Sequence, residues 1–349
     1  MSKSYLDAAD DVADSEIVRV GLNGFGRIGR NVFRATLEHP RIELVGINDV
    51  MDAEDAAYLA KYDSVMGRID GVELVDGALT IGGSSVPIYN RQDPASIPWD
   101  DLGADVALEC TGVFRTKDDA SAHLEGGAET VVISAPPKGE KPVKQLVYGV
   151  NHDEYDGESV VSNASCTTNS ITPVAKVLDE EFGIRSGTLT TIHAYTGSQN
   201  LIDGPMAKTR RGRAAAENIV PTTTGAANAA TKILPQLDGK IDGMAIRVPV
   251  PNGSLTEFVV DTEAEVTVEA VNDAFRDAAD SGPLAGVLGY TDDEVVSRDI
   301  VGLPFSSYVD LPSTNVIADG ELLKILTWYD NEYGFANRML DMASYVTEN

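Results

Sequence analysis

The chain has 349 residues, 43% of them hydrophobic and 23% charged, and a formal net charge of −28 at pH 7. This is the composition of a folded soluble protein, long enough for two domains at roughly 150 residues each. No apolar run approaches the ~20 residues needed to cross a bilayer, and so much negative charge argues against a nucleic-acid backbone as partner.

The first 16 residues form an acidic extension, "MSKSYLDAADDVADSE". It lacks the basic start and apolar core of a secretory signal and is too acidic for a transit peptide, so the expected compartment is the cytoplasm. Next, "EIVRVGLNGFGRIGRNVFRATLEHPRIELVGIND" reads as strand, glycine turn, helix, strand. The strands are the β-branched runs Ile17 to Val20 and Leu44 to Ile47, and Val32, Phe33 and Leu37 keep helical spacing between them. Parallel strands joined this way need a right-handed crossover, and the runs "ADVALEC" and "TVVISAP" supply further buried strands of a doubly wound sheet. From "SCTTNSITPVAKVLDEEFGI" onward the texture changes. A helix is expected to begin near Cys166, followed by "GTLTTIHAYT", "MAIRVPVP", "SLTEFVVDTEAEV" and "ELLKILTWYD", the alternation of a mixed or antiparallel sheet. The stretch from Thr196 to Thr224 is long, basic and rich in small residues, and a loop of that length in a compact domain is usually functional. The last stretch, "EYGFANRMLDMASYVTE", has helical spacing and is expected to pack back on the first domain.

The acidic residues are spread along the chain, with modest clusters at "DAADDVADSE" and "TDDEVVSRD". Such a surface repels itself at low ionic strength, whereas the Debye length falls to ~3 Å in 1 M salt. Adaptation to a halophilic setting is the expectation, and an ordinary acidic cytosolic protein is the alternative.

"GFGRIG", Gly24 to Gly29, fits G-x-G-x-x-G, follows a strand, opens a helix, and is followed about twenty residues later by Asp49 at a strand end. Gly24, Gly26 and Gly29 would let backbone amides approach a pyrophosphate at the helix N-terminus. Asp49 would accept hydrogen bonds from a ribose 2′-hydroxyl and repel a 2′-phosphate, so the expected cofactor is NAD and not NADP. The alternative is a tight strand-to-helix turn with no ligand and a surface aspartate.

Two cysteines allow no disulfide framework. Cys110 sits at a buried strand end and is expected in the core. Cys166, in "NASCTTNS", has two readings: a small packed hydrophobe, or a nucleophile whose thiolate the helix N-terminus would favour. Of four histidines, His193 alone lies in an apolar strand of the second half, where it is either a core residue or the base for Cys166. His39, His123 and His152 lie in polar segments and are expected at the surface. Cysteines and histidines so scattered give no metal-site spacing.

From about Val18 to the C-terminus the chain resembles phosphorylating glyceraldehyde-3-phosphate dehydrogenase. "NGFGRIGR", "ASCTTN", "RRGRAAAENIVPTTTGAA", "GMAIRVPVPNGS" and "WYDNEYGFANR" occur in that family's order and spacing. The resemblance implies an α/β fold with an N-terminal Rossmann doubly wound NAD-binding domain and an α+β catalytic domain built on a mixed or antiparallel sheet. The expected division is an acidic extension at 1–16, the NAD-binding domain at 17–165, the catalytic domain at 166–332 and a returning C-terminal helix at 333–349. It also implies a mechanism: Cys166 attacks the aldehyde, His193 takes the proton, hydride leaves to NAD, and phosphate displaces sulfur from the thioester. Covalent catalysis through a good leaving group divides one hard step into two easier ones.

By the same resemblance, Thr196 and Arg247 hold the substrate phosphate. Ser165, Thr167, Thr224 and Gly225 line the position of the attacking inorganic phosphate, with Arg211 near both; arginine's planar fork suits phosphate. Arg27 and Ile28 join the pyrophosphate turn, Arg91 and Ser134 the adenosine and backbone contacts, Thr111 the nicotinamide side and Asn331 the nicotinamide amide. The partners implied are glyceraldehyde 3-phosphate and phosphate, with assembly as a homotetramer. Two departures stand out: Ser170 replaces the second cysteine that many members carry four residues after the nucleophile, and the acidic extension has no counterpart. Gly204–Pro205 and Asp49 fit the NAD-preferring pattern. The competing expectations are an erythrose-4-phosphate dehydrogenase, sharing fold, cysteine and histidine, and a non-catalytic NAD-binding interaction protein.

Overall fold

The computed structural model describes residues 16–349, the side chain of Ala318 excepted; the acidic extension, Glu16 apart, lies outside the described residues. The chain divides into two compact units, one made of the chain up to Leu146 with His152–Ala164 and Ala336–Asn349, the other of Val147–Asn151 and Ser165–Phe335.

The strands of the first unit are β1 (Val18–Asn23), β2 (Ile42–Asn48), β3 (Glu73–Val75), β4 (Ala78–Ile81), β5 (Ser84–Tyr89), β6 (Val106–Glu109), β7 (Thr130–Ile133), β8 (Lys144–Gln145) and β9 (Val160–Ser162). They form one sheet in the order β3-β4-β5-β2-β1-β6-β7-β9-β8. From β5 to β8 every pairing is parallel, while β3 and β4 add an antiparallel edge. Its helices are α1 (Arg27–Thr36), α2 (Ala53–Lys61), α3 (Trp99–Leu102) and α4 (Lys117–Glu125). On α1, Val32, Phe33 and Ala35 supply the buried stripe, and Thr116 caps α4 by accepting from the amide of Asp119. Trp99, fully buried, packs among Ile97, Ala107, Ala120, Val131 and Ile133. A Cβ at Gly21 would lie 2.4 Å from the Trp99 ring, so glycine is what lets β1 pass under the indole.

The second unit holds β10 (Ile184–Ala194), β11 (Val220–Thr223), β12 (Ile241–Val248), β13 (Ser254–Thr262), β14 (Leu288–Thr291), β15 (Ser307–Asp310), β16 (Asn315–Ile317) and β17 (Leu322–Tyr329). The sheet order is β11-β12-β10-β13-β17-β15-β14, with β16 on β17. Burial alternates strictly along β13 and β17, as one covered face requires, and α5 (Cys166–Phe182) packs on that sheet beside α6 (Ala226–Ile233) and α7 (Val268–Asp280). The pairing of β10 with β12 is parallel, unlike most of its neighbours, and it sets His193 opposite Arg247. The final helix, α8 (Tyr333–Glu348), follows a turn held by Asp330, which accepts from the amides of Glu332 and Tyr333.

Candidate active site

In the first unit, β1 runs into Gly24, whose φ is +96°. A Cβ there would lie 2.5 Å from the Thr111 amide nitrogen, and one at Gly29 only 1.9 Å from the Gly24 carbonyl oxygen; neither position admits a side chain. Gly26 differs, because a Cβ on it meets nothing within 4 Å. It stands at the N-cap of α1 with no side-chain cap and no acidic residue in the first turn. The first amides of α1, from Arg27 and Ile28 onward, have no intrahelical acceptor, and open space lies before them: a cradle that fits a pyrophosphate.

The side chains around the cradle are held by the protein itself. Asp49 accepts from the amides of Phe25 at 2.5 Å and Met51 at 2.9 Å, so its carboxylate braces the glycine turn, a task the motif does not disclose. The Arg27 guanidinium pairs with Asp63, which also accepts from the amides of Val65 and Met66. Burial alone would raise the Asp63 carboxyl, but the Met66 amide, Arg27 and the Val65 amide together hold it below the usual carboxylate range. Arg91 is exposed at its side chain and tied at its backbone to both ends of the Asn48 amide, at 2.8 and 3.0 Å. Thr111 donates its hydroxyl and its amide to Glu109. The amide of Ser134 donates to the Glu109 carbonyl at 3.0 Å.

One expectation is overturned here. His123 is not at the surface: it is fully buried on the inner face of α4, with Nδ1 accepting from Trp99 Nε1 at 3.0 Å and Nε2 3.1 Å from Glu109. The polar residues flanking it in "KDDASAHLE" face outward and hid the inward spacing of Ala120 and His123. Cys110 is a free, buried thiol pushed upward by burial and by the Glu109 charge.

In the second unit, Ser165 caps α5 through the Thr168 amide at 3.1 Å, which places Cys166 in the first turn. Its Sγ lies 3.5 Å from Nε2 of His193. The other ring nitrogen lies 2.7 Å from the Ala194 carbonyl and 2.6 Å from Nη1 of Arg247. Burial and then the Arg247 charge push the imidazole down to about 3, so the ring is neutral and able to take a proton. The thiol does not follow the lowering expected from the helix N-terminus. Burial raises it, against the opposing pull of Arg247, the Thr167 hydroxyl and the backbone amides of Thr167 and Cys166.

Sequence reasoning missed Tyr329, which is buried, bridges the hydroxyls of Thr167 at 3.0 Å and Thr191 at 2.8 Å, and meets the His193 ring edge-on at 5.9 Å. It missed Ser254 too. The Ala194 amide donates to Ser254 Oγ, which donates to Asn331 Oδ1 at 2.7 Å, leaving the Asn331 Nδ2 hydrogens to point elsewhere. Both lie inside stretches that carry the resemblance, "WYDNEYGFANR" and "GMAIRVPVPNGS", but nothing in those stretches assigns them a task; strand register, with Ser254 opposite Tyr329, brings them to the site.

Arg211 reaches Thr222 Oγ1 at 3.0 Å and Ser198 Oγ at 3.3 Å, and Ser198 Oγ lies 2.8 Å from Thr196 Oγ1. Burial lowers both Arg211 and Arg247, and their like charges oppose each other. Neither has a carboxylate partner among the described residues, and Nε of Arg247 is buried without a hydrogen bond, in a chain with 55 acidic residues. Two arginines without carboxylate partners against that excess make a candidate anion site. Thr224 accepts from the Ala226 amide and Gly225 is the exposed N-cap of α6. Thr167, by contrast, turns its hydroxyl inward to Tyr329.

Among the described residues, no group of three His, Cys, Asp or Glu could hold a metal ion, and no helix is long and apolar enough to cross a membrane. Residues 18–117 match the model of the glyceraldehyde 3-phosphate dehydrogenase NAD binding domain, and residues 165–331 match that of its C-terminal domain. The chain is 69% identical to glyceraldehyde-3-phosphate dehydrogenase of Haloarcula vallismortis over 336 residues, 96% of this chain and 99% of that one. It is 51% identical to the Geobacillus stearothermophilus protein of the same name, covering 94% and 98% of the two chains. To the protein named glyceraldehyde-3-phosphate dehydrogenase, cytosolic, of Leishmania mexicana it is 48% identical, covering 95% and 99%. The chain belongs to the glyceraldehyde-3-phosphate dehydrogenase family.

Proposed function

We propose that the protein oxidises D-glyceraldehyde 3-phosphate with NAD and inorganic phosphate, giving 1,3-bisphosphoglycerate and NADH. The observation that carries this reading is a thiol 3.5 Å from a neutral imidazole, with two arginines lacking carboxylate partners in the same unit. Arg247 and Arg211, with Thr196, hold the substrate phosphate and so fix the aldehyde carbon over Cys166. As Sγ attacks, His193 takes the thiol proton and returns it to the carbonyl oxygen, forming a thiohemiacetal. His193 then removes the hydroxyl proton of that adduct as the thioester forms. NAD supplies a hydride acceptor when bound, for which Gly24, Gly26, Gly29, Asp49 and Asn331 are the holding residues. With Nδ2 left to donate, Asn331 is oriented to grip a carboxamide oxygen. Phosphate, received by Ser165, Thr224, Gly225 and Arg211, attacks the acyl carbon and expels the sulfur.

The unit boundaries support a NAD-binding domain over 17–165 completed by most of the helix of 333–349, with a catalytic domain over 166–332, although Val147–Asn151, Ser165 and the residues up to Phe335 fall with the second unit. Leu201, Ile202 and Ile219, each at least 70% exposed, support assembly of copies through the Thr196 to Thr224 segment, as a homotetramer. The cytoplasm is the proposed compartment, and the acidic surface suits concentrated salt.

The deciding experiment is NADH formation in molar KCl with glyceraldehyde 3-phosphate and NAD, with and without phosphate. Sustained turnover only with phosphate supports acyl transfer from Cys166. Equal turnover without it, or preference for erythrose 4-phosphate, would send the assignment elsewhere.

A further inference from the structure

Glu109 is fully buried at the carboxyl end of β6 and belongs to none of the roles above. Its Oε1 accepts from the amide of Thr111 at 2.8 Å and from the Thr111 hydroxyl. Oε2 accepts from Asn23 Nδ2 at 2.6 Å and faces Nε2 of His123 at 3.1 Å. The tautomer of His123 follows from its other side. An indole N–H can only donate, so Nδ1 accepts from Trp99 and the single ring hydrogen sits on Nε2, directed at Glu109. Every group around this carboxyl is therefore a donor, which suits the ionised form, and every one is neutral. No lysine or arginine among the described residues pairs with it. It is a buried negative charge stabilised by dipoles alone, and such a charge acts over a longer range than a screened surface one.

Its place in the sheet gives that field a target. A dinucleotide crosses a doubly wound sheet at the carboxyl ends, where the strand order reverses. Here the reversal falls between β1 and β6, and Asn23 and Glu109 are register partners across it. Asp49, on the first half, is the ribose-binding residue of the adenosine side, which leaves the nicotinamide side to the loop after β6. The ring there is cationic in NAD+ and neutral in NADH.

We propose, on the basis of the NAD-binding reading above, that Glu109 is a specificity-determining residue that makes the site favour the oxidised cofactor over the reduced one. The two ligands have nearly the same shape, so a residue that merely held the loop would affect both alike. The test is calorimetric titration of NAD+, NADH and ADP-ribose into the full chain carrying Cys166→Ala, which removes the reactive thiol. The parent is expected to bind NAD+ more tightly than NADH. Glu109→Gln should reduce that preference roughly three- to tenfold, the size of a Coulomb term at an effective dielectric constant of about 20 or more, and Glu109→Asp should preserve it. An unchanged preference in Glu109→Gln overturns the role of Glu109 alone; failure of the parent to bind either cofactor overturns the NAD-binding reading and this one with it. Should Glu109→Gln not fold, the parent decides: NADH bound as tightly as NAD+ overturns the proposal.

Discussion

Arg247 touches His193 on the side away from the sulfur: its Nη1 lies 2.6 Å from Nδ1, while Nε2 lies 3.5 Å from Cys166. One guanidinium thus borders both the proposed anion site and the proposed base. Loss of a charge-assisted hydrogen bond costs about 1.5–3 kcal/mol, so Arg247→Leu should lower kcat/KM for glyceraldehyde 3-phosphate by roughly 10- to 150-fold. Unphosphorylated glyceraldehyde should lose only a few-fold. Removing the positive charge also raises the His193 pKa, so the acid limb of the kcat profile should move to higher pH. Arg247→Lys keeps the charge without the fork and should leave the limb in place while still weakening substrate binding. Equal losses for both aldehydes would remove Arg247 from phosphate recognition.

Asp49 has a double task. Its carboxylate braces the turn through Phe25 and Met51 and is the charge that would repel a 2′-phosphate. Asp49→Ala should therefore raise the Kd for NAD by about tenfold, from two backbone amides losing their acceptor. It should also shift the NADP to NAD preference by more than that factor. Asp49→Asn, which keeps one acceptor and drops the charge, should change preference with less loss of NAD affinity. An unaltered preference in both variants would leave Asp49 with the bracing task alone.

The cradle and the cysteine were legible because their chemistry is local. Gly24, Gly26, Gly29 and Asp49 lie in one βαβ unit, and the change of texture from "SCTTNSITPVAKVLDEEFGI" onward marks where α5 starts. Apart from the resemblance, His193 reads as a candidate only, because nothing in "TTIHAYTG" says which strand lies beside it. The parallel register of β10 on β12 puts Arg247 opposite, and no nearest-neighbour pattern encodes a register between strands that distant. His123 was misread for the same reason: its partners Trp99 and Glu109, and Asn23 beside them on Glu109, come from three other elements. The raised thiol of Cys166 escaped as well, since a helix N-terminus can be seen in sequence and the burial that outweighs it cannot.

Asp63 ties Arg27, and so the start of α1, to the loop after α2. Its side chain is 1% exposed, and its pKa in the fold lies below the ordinary value. The unfolded chain therefore binds the proton more readily, and the stabilisation is fully present above about pH 4, the unfolded carboxyl's range. It is lost as pH falls through the lower folded value. Asp63→Asn should cost about 1–3 kcal/mol at pH 7, and the difference between variant and parent should shrink as pH falls below 4. Denaturant melts at stepped pH would measure it. A constant gap down to pH 2 would mean that the lost contact, and not the charge, sets the cost.

Salt acts on two opposed sets of charges. Screening weakens attractive pairs such as Arg213–Asp203, Arg276–Asp292 and Lys141–Asp118, but exposed pairs of this kind are worth about 0–1 kcal/mol each. Against them stand 55 acidic residues and 27 basic ones, so at least 28 carboxylates have no basic side chain available and repel their neighbours at every separation within the Debye length. That length falls from ~10 Å at 0.1 M to ~3 Å at 1 M, which removes the long-range repulsion while short contacts persist. The repulsive sum is the larger, and Tm should rise with KCl at about 2–4 °C for each kcal/mol of repulsion screened. NaCl should act equally if screening is the cause. A melting temperature that falls between 0.1 and 2 M KCl would show that the attractive pairs dominate.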